Sequence, residues 1–237
     1  MSESGEDEEV KELIQYTGNY GGIDQDSKFW DDCEEMGGQN GEDLLKYKIT
    51  KIKIYTGTFN EKKAIMGISC VFKNLFSGKD EPQKDHKGSI QFEDVKEFDI
   101  QAGEYLTDFH IRFTNEAEYI SQLGFGTSKG NKILVGTEEG EDKTIDSNGG
   151  QNFIVGTFGC INKKLDAMGC LYVSKTEYLK RKLFCLFMLR HVIKKDTKFK
   201  EKWDAKWKEL PEDFQYIWKA MNLPDAPFSH IIKYCYA

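Results

Sequence analysis

The chain has 237 residues, a net charge of −7, 39% hydrophobic residues and 31% charged ones. That is enough chain to build a self-supporting core without covalent staples. Its apolar run Leu183–Leu189 is far short of the roughly 20 residues a membrane-crossing helix needs, which argues against a span.

In chain order, Met1–Glu12 carries six acidic residues and one Lys with no apolar pattern, and residues 1–15 are expected to be a disordered acidic tail. The tail lacks the basic start and apolar run of a secretory signal. From residue 16 the pattern changes. Apolar residues alternate in short runs: Ile52 and Ile54; Met66, Ile68, Cys70 and Phe72; Phe109, Ile111 and Phe113; Leu123 and Phe125. A period of two over such lengths predicts half-buried strands. Turn residues separate them at Thr56-Gly57, Ser77-Gly78, Gly130-Asn131 and Asn148-Gly149-Gly150. Ser77–Gly88 reads as a charged inserted loop. Asn152–Val173 reads as two strands joined by a tight loop, Cys160–Leu165, with Asp166 at its end. Many short strands without intervening helices predict an antiparallel barrel, sandwich or prism, and periodicity does not choose among them.

A compositional boundary follows. All 22 glycines lie at or before Gly169, whereas Trp203, Trp207 and Trp218 and three of the four prolines lie after it. Residues 175–237 hold 14 Lys+Arg against 8 Asp+Glu, a net of +6, leaving −13 for the rest. Thr176–Lys195 has neither Gly nor Pro and is rich in good helix formers. Pro211 with Glu212 and Asp213 marks another helix start. The region is expected to be a helical, Trp- and Lys-rich extension. Its basic charge is nearly all Lys, without aromatic-basic motifs for nucleic acid.

Five motifs occur in an order resembling the jacalin-related, mannose-binding type of lectin. They are Gly18-Asn19-Tyr20-Gly21-Gly22 leading to Phe29-Trp30-Asp31-Asp32; Ile49–Gly57; Gly103-Glu104-Tyr105-Leu106-Thr107; Leu123-Gly124-Phe125-Gly126-Thr127; and the Asn162–Asp166 loop. The resemblance implies a β-prism of three antiparallel sheets over residues 16–174. It does not cover the helical extension at 175–237.

The resemblance also implies a carbohydrate site built from Gly21-Gly22, the turn at 115–118 and the loop Asn162, Lys163, Lys164, Leu165, Asp166. In the family the loop's backbone N–H groups donate to sugar hydroxyls and the Asp accepts from them. Here Asn162 stands where the family has Gly. Asn tolerates positive φ, but its side chain can fill a shallow pocket. Lys163 and Lys164 favour an anionic ligand or are solvated. In the alternative, Asp166 only caps its own loop through backbone N–H groups.

Catalytic and metal signatures are poor. Gly126-Thr127-Ser128-Lys129-Gly130 matches Gly-x-Ser-x-Gly but has strand-like flanks where a strand and a helix are required. Asp142–Gly150 fails the calcium-loop spacing, and the four His form no ligand set. The expectation is a non-enzymatic protein without cofactor or metal. The six Cys show no Cys-x-x-Cys spacing, and no Asn-x-Ser/Thr acceptor occurs, which points to the cytoplasm. The Lys:Arg ratio of 30 to 3 fits an AT-rich coding genome, with a cytoskeletal or ciliary assembly as the setting. Two functions follow. The first is an intracellular binding and assembly protein, with the β-domain as a rigid block and protein partners docking at Trp203, Trp207 and Trp218. The second is an active lectin that takes a hexose or an anionic glycan, as a mono- or oligosaccharide, through the Asp166 loop.

Overall fold

The computed structural model describes residues 14–36, 42–74, 80, 84–101, 103–114, 119–145, 151–178 and 201. They form thirteen strands: β1 (Gln15–Tyr16), β2 (Tyr20–Gly21), β3 (Lys28–Asp31), β4 (Tyr47–Phe59), β5 (Lys62–Asn74), β6 (Lys84–Lys87), β7 (Asp94–Asp99), β8 (Leu106–Phe113), β9 (Ile120–Thr127), β10 (Lys132–Gly136), β11 (Glu141–Ile145), β12 (Asn152–Ile161) and β13 (Leu165–Ser174). A short helix α1 (Asp32–Met36) and a 3₁₀ turn (Glu42–Lys46) lie between β3 and β4. Among the described residues no helix is long and apolar enough to cross a membrane.

The protein is mainly β, and every strand pair is antiparallel. Hydrogen bonding defines two sheets where the sequence predicts three. One has four strands in the order β6-β5-β4-β7, and the other has nine. The larger sheet consists of two groups. One is β12 and β13 with the short strands β1, β2 and β3; the other is β8 to β11. Among the described residues a single pair, Ile154 with Leu106, joins them. This seam merges what would otherwise be two separate faces.

The alternating residues identified in the sequence fill one core. Ile52, Ile54, Ile68, Cys70 and Phe72 of the small sheet meet Phe109, Ile111, Leu123 and Phe125, and Phe153, Met168 and Leu171 join them. Each large side chain buried there contributes about 1.5–3 kcal/mol. Strand β9 is buried at every position. Its core face carries Leu123 and Phe125. On the other face a Cβ at Gly124 would sit 2.7 Å from Leu134 Cδ1, so glycine is what lets β10 cover it closely.

Several local expectations shift. Thr56-Gly57 is not a turn: β4 runs through it to Phe59, and the chain reverses at Asn60 and Glu61, both at positive φ (48° and 64°). Two left-handed residues in a two-residue loop match the twist of a hairpin, and the Asn-Glu pair carries no glycine to signal it. Ser77–Gly88 is not all loop, because β6 pairs with β5 within it. Gly126–Gly130 leads through a tight turn into β10, as its strand-like flanks predict. Ordered structure starts before residue 16: Ile14 is buried in the core and Gln15 pairs with Tyr172. At the other end residues 175–178 form a helical turn, with Tyr178 buried edge-on against Phe153 and Tyr105. The rest of the expected helical extension lies outside the described residues, apart from the exposed, helical Glu201.

Candidate functional site

The β12–β13 hairpin closes through Asn162, Lys163 and Lys164, and two other loops pack on it. Strand β2 runs beside β13, with Gly21 opposite Ala167 and the Gly22 N–H donating to the Asp166 carbonyl at 3.2 Å. Gly21 has φ +121°, and a Cβ there would lie 2.2 Å from that same carbonyl oxygen. Its glycine is therefore required for the strand contact itself. From the other side the segment after β6 ties down the hairpin tip. Ser89 N–H donates to the Asn162 carbonyl at 2.8 Å and Ile90 N–H to the Lys163 carbonyl at 3.1 Å. The Lys163 N–H makes no hydrogen bond to another described residue.

Asp166 is buried, with its side chain 2% exposed. Its Oδ1 lies 2.8 Å from Lys164 Nζ, and its Oδ2 accepts from the Ser27 hydroxyl at 2.7 Å. Lys164 is itself buried, with its ammonium 4.9 Å from the Phe59 ring centre. An ion pair removed from water in this way depends on its partners, because an isolated buried charge is very unfavourable. The Asn162 side-chain amide donates to Asp24 Oδ2 at 3.3 Å, and Asp24 also accepts from Ser27 N–H through its backbone carbonyl. Burial first, then the nearby Asp166 charge, pushes the Cys160 thiol up and keeps it protonated.

The structure brings Gly21, Gly22, Asn162, Lys164 and Asp166 into one cluster, with Lys163 exposed at its tip. It differs from the capping alternative, because the Asp166 side chain bonds an ammonium and a hydroxyl. Lys164 is not a solvated charge available to an anion, since Asp166 already neutralises it. That leaves Lys163 as the exposed cation of the loop. The turn at 115–118 and Trp203, Trp207 and Trp218 lie outside the described residues. Ser27 and Asp24 had no sequence signal: they sit 139 and 138 positions from their partners.

A second buried charge, Asp32, holds α1 to β12. Its Oδ2 accepts from Thr157 N–H at 2.7 Å and Thr157 Oγ1 at 2.9 Å. His86 stacks on Trp30 with its Nε2 3.8 Å from Asp32 Oδ1. His110 is held between Thr144 and Gln122 on β11 and β9. Asp142, in the candidate calcium segment, pairs with Arg112 at 2.8 Å. No cluster among the described residues has the make-up of a metal site.

The sequence model of the jacalin-like lectin domain matches residues 33–171, more than half of the chain. The chain belongs to the jacalin-like lectin family. Its fold is similar to that of the Malaysian banana lectin, with a TM-score of 0.52 and 22% identity over 68% of this chain and 99% of that one. A mannose-binding jacalin-related lectin from Ananas comosus aligns with a TM-score of 0.52 and 18% identity over 68% and 98%. Artocarpin, in a complex with mannotriose, aligns with a TM-score of 0.50 and 21% identity over 68% and 97%. No curated protein matches the chain. At these identities the structural likeness describes the fold, and this jacalin-like domain is followed by a segment beyond residue 171 that the family model does not reach.

Proposed function

We propose that this jacalin-like protein is a non-enzymatic carbohydrate-binding protein whose site is the Asp166 loop, held closed by Lys164 until a sugar takes its place. The supporting observation is the contact of Gly21-Gly22 with the Asp166 backbone beside an open Lys163 N–H. The Lys163 N–H, without a partner among the described residues, is the donor and the Asp166 carboxylate the acceptor that carbohydrate chemistry of the family's kind would use. A ligand hydroxyl would accept from the loop N–H and replace Lys164 or Ser27 at Asp166. Relatives in fold are described as mannose-binding or were solved with mannotriose, so mannosides are the first ligands to try. A glycan array on the full chain and on Asp166→Asn tests this. Mannoside signal on the first and at least tenfold less on the second supports it, since a hydrogen bond to a charged acceptor is worth about 1.5–3 kcal/mol.

A second reading is favoured by one observation: both Asp166 oxygens already have internal partners. In that reading the β-domain is a rigid block in a cytoplasmic assembly, cytoskeletal or ciliary, docking through Trp203, Trp207 and Trp218. The unpaired thiols Cys33, Cys70, Cys160 and Cys170 fit a reducing setting. An array blank for every glycan would favour it.

A further inference from the structure

The seam between the two groups of the larger sheet opens a crevice. Among the described residues it joins β12 to β8 at Ile154–Leu106 alone, and beside it lies a cavity of about 350 Å³. That is within the size range of small-molecule sites, roughly 300–1,000 Å³. Tyr16, Tyr20 and Tyr172 line it, and none of its eleven described lining residues is charged. Tyr16 is fixed by a hydrogen bond from its hydroxyl to Asp31 at 2.9 Å and by edge contact with Phe158. In contrast, the side chains of Tyr172, Asn152 and Thr107 have no hydrogen-bond partner among the described residues. Asp31, which holds the Tyr16 hydroxyl, is the charge nearest the lining, and Lys143 is paired with Glu141 at 2.6 Å.

Aromatic walls with a few free donors and acceptors suit a ligand that has both C–H faces and hydroxyl groups. Among the described residues the lining is electrically neutral, which suits a neutral one. We propose that this crevice is a second binding site, for a neutral pyranose, with the tyrosine rings stacking on the sugar face and Asn152, Thr107 and the Tyr172 hydroxyl bonding its hydroxyls. Tyr20 at its near end adjoins Gly21, and its polar end stands apart from the Asp166 loop. Tyr172 lies six positions along β13 from Asp166, roughly 20 Å at the usual rise per residue. The inference therefore does not depend on the Asp166 loop being active.

The test is isothermal titration and saturation-transfer NMR on the full chain, with methyl α-mannoside, methyl α-glucoside and N-acetylglucosamine as probes. Four variants are compared: Asp166→Asn, Tyr172→Ala, Tyr172→Phe and Asn152→Ala. The proposal expects at least one probe to bind Asp166→Asn within about twofold of the parent chain. It expects Tyr172→Ala to weaken that binding about five- to tenfold, the loss expected for one aromatic contact. Tyr172→Phe and Asn152→Ala, which remove only polar groups, weaken it several-fold and keep the test valid if Tyr172→Ala does not fold. No binding by any probe overturns the proposal, as does binding that Asp166→Asn abolishes and the three crevice variants leave unchanged. The latter result would leave the Asp166 reading standing alone.

Discussion

Lys164 and Asp166, two residues apart on either side of Leu165, form a buried ion pair at 2.8 Å with side-chain exposures of 9% and 2%. Residues i and i+2 point to the same face at a strand start, which brings the ammonium directly onto the carboxylate. The pair is the feature that separates this loop from a simple open sugar site.

Removing one partner leaves the other charge uncompensated. Lys164→Met is expected to lower stability by about 3–5 kcal/mol in urea unfolding. The double variant Lys164→Met with Asp166→Leu should recover most of that loss, because an apolar pair of similar volume is often neutral. Equal losses in the single and double variants would mean that the pair is not coupled.

Gly21 and Gly130 provide a matched comparison of backbone strain. Both have positive φ, +121° and +86°, but only Gly21 faces a backbone oxygen, while Gly130 has nothing within 4 Å of an added Cβ. Gly21→Ala is expected to cost about 1–3 kcal/mol from strain and more from the clash, detaching β2 from β13. Gly130→Ala should show the strain alone, about 1–3 kcal/mol, without the clash. Thermal melts of the two variants measure the difference.

Thr157 supplies both hydrogen bonds to Asp32 Oδ2. Thr157→Val keeps the backbone bond and removes the hydroxyl one, at an expected cost of about 1.5–3 kcal/mol. Thr157→Ser, which retains the hydroxyl, should keep much of the stability. A loss as large for Ser as for Val would put the effect in packing instead.

The strands were legible because their alternation reports burial directly: Leu123 and Phe125 face the core while Gly124 and Gly126 take the covered side. The order of motifs carried the family and the placing of Gly21-Gly22 beside the Asp166 loop. The Asn60-Glu61 turn was not legible, because its left-handed residues include no glycine and Gly57 nearby imitates a turn. The state of Lys164 was hidden too. In sequence it is one of two adjacent lysines, and only the fold puts Lys163 in solvent and Lys164 against Asp166 and Phe59.

Burial raises the thiols of Cys70 and Cys170 well above the ordinary range, and it raises the Tyr178 hydroxyl as well. In the unfolded chain thiols ionise near pH 9 and tyrosine near 10. Groups whose values rise on folding add stability that is complete below the unfolded value and is lost as pH climbs through and beyond it. The urea midpoint should therefore be flat with respect to these groups between about pH 7 and 8.5 and should fall above about pH 9. A midpoint that rises above pH 9 would contradict the burial of these side chains.

The most direct test of the central claim is a ¹⁵N NMR titration of the full chain with mannotriose. The amides of Gly21, Gly22, Asn162 and Lys163 should shift together in a saturable way. The shifts should vanish in Asp166→Asn and saturate at lower sugar in Lys164→Met, where the carboxylate has lost its ammonium partner. Amides of these residues that stay unmoved at saturating mannotriose, in both the parent chain and Lys164→Met, would contradict a carbohydrate site at the Asp166 loop.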